Sequence, residues 1–127
     1  MSTSNVRRVL VAVRSPRMRE ALVALIGSLD GFAVVAEASS DEQALDLARR
    51  HRPHLALVDQ ELPGCDGDWA IQRLQRDHLA GAVVAIGRRA DGSRRARAVG
   101  ACAYVQVGAP PAEILRALAS ALARLGP

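Results

Sequence analysis

Lysine is missing from this 127-residue chain, so all 17 basic residues are Arg. Any chemistry that needs a lysine ammonium must be done without one. Cysteine is scarce too: Cys65 and Cys102 are the only two, and they lack metal-ligand spacing. They read as inert structural thiols in a reducing compartment. Aromatics number one Trp, one Tyr and one Phe, too few to supply a stacking surface for nucleic acid. Arg or Gly interrupts every apolar run within a few residues, leaving no stretch for a membrane span. Met1–Asn5 lacks the charged-then-apolar layout of a signal peptide, which makes the cytoplasm the expected location.

What remains fits one soluble domain with a real core, since half of the chain is apolar and 24% is charged. The net charge of +4 is spread over several Arg-bearing segments. It reads as a generic basic surface, with no direct nucleic-acid binding expected of this domain. The densest cluster, Arg88, Arg89, Arg94, Arg95 and Arg97, reads as a solvated helix face.

Five apolar runs alternate with amphipathic stretches: Val9–Val13, Phe32–Ala36, Leu55–Val58, Ala82–Ile86 and Ala103–Val107. Their continuous apolarity suits strands covered on both faces of a parallel sheet. The first helical stretch opens at Ser15-Pro16, an N-cap followed by Pro at the first helical position. Ser40 and Gln43 have capping-box spacing at the start of the second. The third starts at Asp66-Gly67, and the last runs from about Pro110 to Arg124. The fourth, Asp91–Val99, has few apolar positions and is expected to be short. Strand and helix alternating five times predict a doubly wound α/β fold: five parallel strands in one sheet with five helices. Working residues in such folds sit at the carboxyl ends of the strands.

Residues at those ends carry a resemblance. Leu55-Ala-Leu-Val-Asp59, then Pro63-Gly64 and Asp66-Gly67, is similar to the phospho-acceptor segment of response-regulator receivers. Val9–Val13 with Ser15–Leu22 resembles their first strand and helix. Gly100–Val105 with Pro110–Leu115 resembles their fifth strand and last helix. The likeness spans nearly the whole chain and is nearest to the NarL-like subfamily. It implies a flavodoxin-like receiver over residues 1–127, with a linker to an output domain beginning near Leu125. It also implies a two-component signalling role, with a helix-turn-helix output domain that binds DNA.

The departures from that pattern are specific. The resemblance implies two adjacent acidic residues after the first strand, which hold Mg²⁺; this chain has Val13 and Arg14 there. A Thr or Ser expected at the end of the fourth strand is Gly87, and the Lys expected after the fifth is Val107. Asp59 keeps the acceptor position, and Tyr104 keeps that of the aromatic that changes rotamer on activation. Phosphoryl transfer rests on positioning and charge neutralisation. With these groups replaced, Asp59 is expected to be inactive as acceptor, and the domain a non-enzymatic pseudo-receiver without metal or cofactor.

Arg14 could extend its guanidinium to Asp59 and stand where the metal would have been. The last helix, with Leu118, Leu122 and Leu125, could supply part of a homodimer interface. Trp69 reads either as a contact residue or as half-buried packing. Three functions are open: a phosphorylation-independent regulatory and dimerisation module, probed first; a phosphorylatable receiver using Asp59; and a ligand sensor whose vacated site has room at Gly87 and Val107.

Overall fold

The computed structural model describes residues 6–125. The Met1–Asn5 segment and the Gly126-Pro127 end of the expected linker lie outside them. Each apolar run becomes a strand: β1 (Arg7–Ala12), β2 (Phe32–Ala38), β3 (Leu55–Asp59), β4 (Ala82–Gly87) and β5 (Ala103–Gln106). Between and after them stand α1 (Pro16–Gly27), α2 (Asp41–His51), α3 (Gly67–Arg76), α4 (Gly92–Ala98) and α5 (Pro111–Leu125). All pairings are parallel, in the order β2-β1-β3-β4-β5. The expected architecture is therefore the observed one.

Burial follows position in the sheet. Every residue of the inner strands β3 and β4 is buried, whereas most of the edge strand β2 is half-buried. Alternate residues of β1 feed opposite layers. Val9, Val11 and Val13 pack with Leu22 and Ile26 of α1 and Leu118 of α5. Leu10 and Ala12 pack with Leu45 of α2 and with Ile71 and Leu74 of α3. Each fully covered side chain of this size contributes about 1.5–3 kcal/mol of transfer free energy.

The helix starts follow the chemistry of their caps. Ser15 Oγ accepts the Met18 N–H, Ser40 Oγ the Gln43 N–H at 3.2 Å, and Asp66 Oδ1 the Trp69 N–H at 2.7 Å. The reciprocal half of the box at α2 differs from expectation: Gln43 Oε1 accepts from Ser39 N–H, one residue ahead of the cap. The α4 helix has seven residues and no side-chain cap bond, in line with its poor apolar pattern.

Two expectations are corrected. Leu118 cannot serve a dimer face, because it is 2% exposed and packs onto the sheet, with Leu122 and Leu125 half-buried beside it. The apolar stripe of α5 is the stripe that the sheet covers; Leu115 is the large apolar residue of that helix left exposed. Cys65 is exposed, contrary to a buried thiol, because the Pro63–Asp66 loop carries it outward.

Candidate functional site at the carboxyl ends of the strands

Parallel pairing brings the ends of β1, β3 and β4 to one edge. Asp59, the last residue of β3, is 4% exposed. A buried carboxylate needs partners, and backbone supplies both. Asp59 Oδ2 accepts the Arg14 N–H at 3.0 Å, and Oδ1 accepts the Glu61 N–H at 2.8 Å. The Arg14 guanidinium, by contrast, is exposed and forms no ion pair with Asp59 among the described residues. The side-chain pair expected from sequence is replaced by a main-chain contact, which any residue but Pro would make at position 14.

A cleft of about 380 Å³ opens over Asp59, with Arg14, Glu61, Arg88 and Val107 in its wall. Arg88 is exposed, as a solvated run requires, and it also faces the cleft. Its Nε stands 2.8 Å from Glu61 Oε2 across the cleft. The two cations, Arg14 and Arg88, are thus balanced by Asp59 and Glu61. Val13 lies elsewhere, fully buried in the layer beneath α1 and α5.

Gly87 closes β4 on the other side. A Cβ built there would stand 2.3 Å from Gln60 Oε1 and 2.6 Å from the Tyr104 hydroxyl oxygen. The room expected at Gly87 for a ligand is therefore already filled by protein. Tyr104 donates its hydroxyl to the Arg89 carbonyl, and burial first, then Asp91, raises its pKa above the ordinary phenol value. Gln60 Nε2 donates to Asp68 Oδ1 at 3.1 Å and to the Gly92 carbonyl at 3.3 Å. Asp68 in turn meets Arg95 Nη2 at 2.7 Å. Gln106 Nε2 donates to the Arg88 carbonyl at 3.0 Å. Four side chains from the loop after β3 and from β5 thereby tie down the 88–92 segment: Gln60, Glu61, Tyr104 and Gln106.

Several of these residues have no sequence signal. Gln60, Gly92 and Gln106 sit in loops or at strand ends, where no periodicity marks a role. Asp41 is a second buried carboxylate, 3% exposed. It accepts N–H groups from Glu42 and Cys65 and so pins the Pro63–Cys65 turn. Local desolvation, then the neighbouring Asp41, pushes the Cys65 thiol up. An exposed thiol is thus kept in its less nucleophilic form. Gly67, a helix start within the acceptor-like segment by sequence, sits tight against β3: a Cβ there would meet the Asp59 backbone oxygen at 2.0 Å. Trp69 is half-buried against the α2/α3 layer, with the Arg73 guanidinium 5.4 Å from its ring centre.

Comparison with known proteins gives consistent relatives. The response regulator GacA of Pseudomonas viridiflava is 33% identical over 87% of this chain and 53% of its own length. The nitrate/nitrite response regulator NarL of Escherichia coli (strain K12) is 30% identical over 97% of this chain and 58% of its own. The chain spans just over half the length of these curated relatives. Among solved structures, a LuxR-family two-component response regulator from Aurantimonas sp. SI85-9A1 superposes with a TM-score of 0.84. It is 30% identical, over 93% of this chain and 86% of that one. The signal receiver domain of a NarL response regulator from Mycobacterium tuberculosis superposes at 0.83, with 25% identity over 97% and 99% of the two chains. The family model for the response regulator receiver domain matches residues 9–119, from β1 into α5, and this chain belongs to that family.

Proposed function

We propose that this receiver is a phosphorylation-independent regulatory and dimerisation module of a transcription regulator, joined to a DNA-binding output domain. The observation that carries the reading is the packing at Gly87. Tyr104 and Gln60 occupy the volume into which a residue 87 side chain would project. No hydroxyl at that position links Asp59 to Tyr104, and the 88–92 loop is held by bonds that bypass Asp59. A group added to Asp59 would have no side chain through which to move the Tyr104 face.

The donor set near Asp59 also does not fit a divalent cation. Mg²⁺ takes carboxylate and water oxygens. Here both Asp59 oxygens accept backbone N–H groups, Glu61 pairs with Arg88, Val13 is apolar and buried, and Arg14 is cationic. Among the described residues, no three His, Cys, Asp or Glu side chains group as metal ligands. The names of GacA and NarL support the regulatory role, and the DNA-binding partner rests on the resemblance to NarL-like receivers, which implies a helix-turn-helix output domain. Among the described residues, no helix is long and apolar enough to cross a membrane.

The test is incubation with acetyl phosphate, with and without Mg²⁺, read by intact mass. The expected result is no mass gain. A stoichiometric phosphoryl gain that Asp59→Asn abolishes would overturn it and establish the second reading, a phosphorylatable receiver. That reading has one observation in its favour: Arg88, released from Glu61, would join Arg14 in offering positive charge at the cleft.

A further inference from the structure

We propose that a small, neutral, apolar molecule binds between α1, α5 and the sheet, in a cavity beneath Val107. The cavity holds about 150 Å³ and is lined by aliphatic side chains of both helices and of β3, β4 and β5. Its origin is local. Val107 follows the last residue of β5 with a short side chain, and Gly108, at φ +92°, turns the chain away. Nothing longer reaches down over Leu57, Ile86 and Val105.

The lining settles the class of ligand. Among the described residues, no buried side-chain polar atom lacks a hydrogen-bond partner. Two N–H groups of the turn above are paired with backbone: Val107 N–H donates to the Gly87 carbonyl of β4 at 2.7 Å, and Ala109 N–H to that of Gln106 at 3.0 Å. A water or an ion inside would therefore find few partners, and a largely apolar cavity of this size, although partly open, accepts a benzene-sized guest. Charge is disfavoured twice over. An ion would lose its hydration against aliphatic walls. The neighbouring Asp59 cleft, where Arg14 and Arg88 offset Asp59 and Glu61, attracts neither sign. Met18 and Val107 line both spaces, so they form the partition between cavity and cleft. Met18 is the movable part, unbranched and with three rotatable bonds. A guest would press on this partition and on the start of α5, whether or not Asp59 takes a phosphoryl group; the proposal stands or falls separately from the phosphodonor result.

Benzene titrated into the chain, followed by methyl NMR, tests it. Saturable shifts are expected at Met18, Leu57, Ile86, Val105, Val107 and Ile114. Val107→Phe, which fills the void from β5, and Ala21→Met, which fills it from α1, are each expected to weaken binding at least tenfold. Benzoate and benzylammonium are expected to bind at least tenfold more weakly than benzene. No saturable shift in the natural chain overturns the proposal. So do shifts centred on a second groove, the one lined by Leu29, Phe32, Leu115 and Leu122, equal binding of the charged analogues, or unchanged binding in a folded filled variant.

Discussion

The Tyr104 hydroxyl stands where a side chain at Gly87 would begin: a Cβ at residue 87 comes within 2.6 Å of it and 2.9 Å of the ring. Gly87→Ser must therefore displace the ring, Gln60, or both. The mutant is expected to lose about 1–3 kcal/mol, the usual cost of overpacking. Release from its half-buried site should also return the single Tyr toward the ordinary phenol pKa of about 10. An ultraviolet titration reads this directly. A titration identical to that of the natural chain would mean that the ring stays put and that Gly87 is not what admits it.

Asp59 is held by main chain, so Arg14 and Asp59 should respond differently to mutation. Arg14→Ala keeps the N–H that Asp59 Oδ2 accepts, and should change stability by no more than about 0.5 kcal/mol. Asp59→Asn turns one acceptor into an NH₂ group facing an N–H donor, and should cost about 1–3 kcal/mol. Urea unfolding of the two variants side by side gives the comparison. Equal losses would point to a guanidinium role for Arg14 that its exposed side chain does not support.

The fold was legible because burial writes itself into composition. Leu55–Val58 and Ala82–Ile86 lie between helices on both faces, so neither run can alternate. Phe32–Ala36 reads similarly, although β2 is an edge strand extending to Ala38, because Glu37 interrupts the apolar run near its end. The site was half legible. Asp59, Arg14 and Val107 meet at one cleft, as strand-end positions in parallel strands should. What sequence could not give was direction: Arg14 contributes its backbone where its guanidinium was expected, and Arg88, while exposed, pairs with Glu61 at the cleft. Gly67 reads from sequence as a helix start and Gly87 as a missing hydroxyl, and neither reading shows what packs against them. Their importance lies in which atoms approach them, and that depends on how α3 and Tyr104 pack.

Gly67 begins α3 against the end of β3, with its N–H donating to the Gln60 carbonyl at 3.3 Å. A methyl group there meets backbone on both sides, the Asp59 oxygen at 2.0 Å and Gln60 Cα at 2.5 Å. Backbone cannot rotate aside as a side chain does. Gly67→Ala should therefore cost about 3 kcal/mol despite the better helix propensity of Ala. In a domain of this size that corresponds to a melting temperature lower by roughly 10 °C. A neutral or stabilised mutant would mean that α3 can slide outward without loss.

His54 gives the chain a pH dependence of definite sign. Its Nδ1 accepts the Arg8 backbone N–H at 3.0 Å, a role open only to the neutral ring. Burial, then the cations of Arg8 and Arg7, lowers its pKa below the usual 6.5. The unfolded chain thus binds this proton before the folded one does. The His54 contribution is complete above about pH 6.5, declines as the pH falls from there through the folded value, and then levels off. Carboxylates titrate mainly lower, near pH 4, so the interval from 7.5 to 5.5 isolates the histidine signal. His54→Asn keeps an acceptor for Arg8 and removes the titration. Denaturant midpoints at the two pH values should therefore differ less in this variant than in the natural chain. Equal differences would assign the effect to other groups.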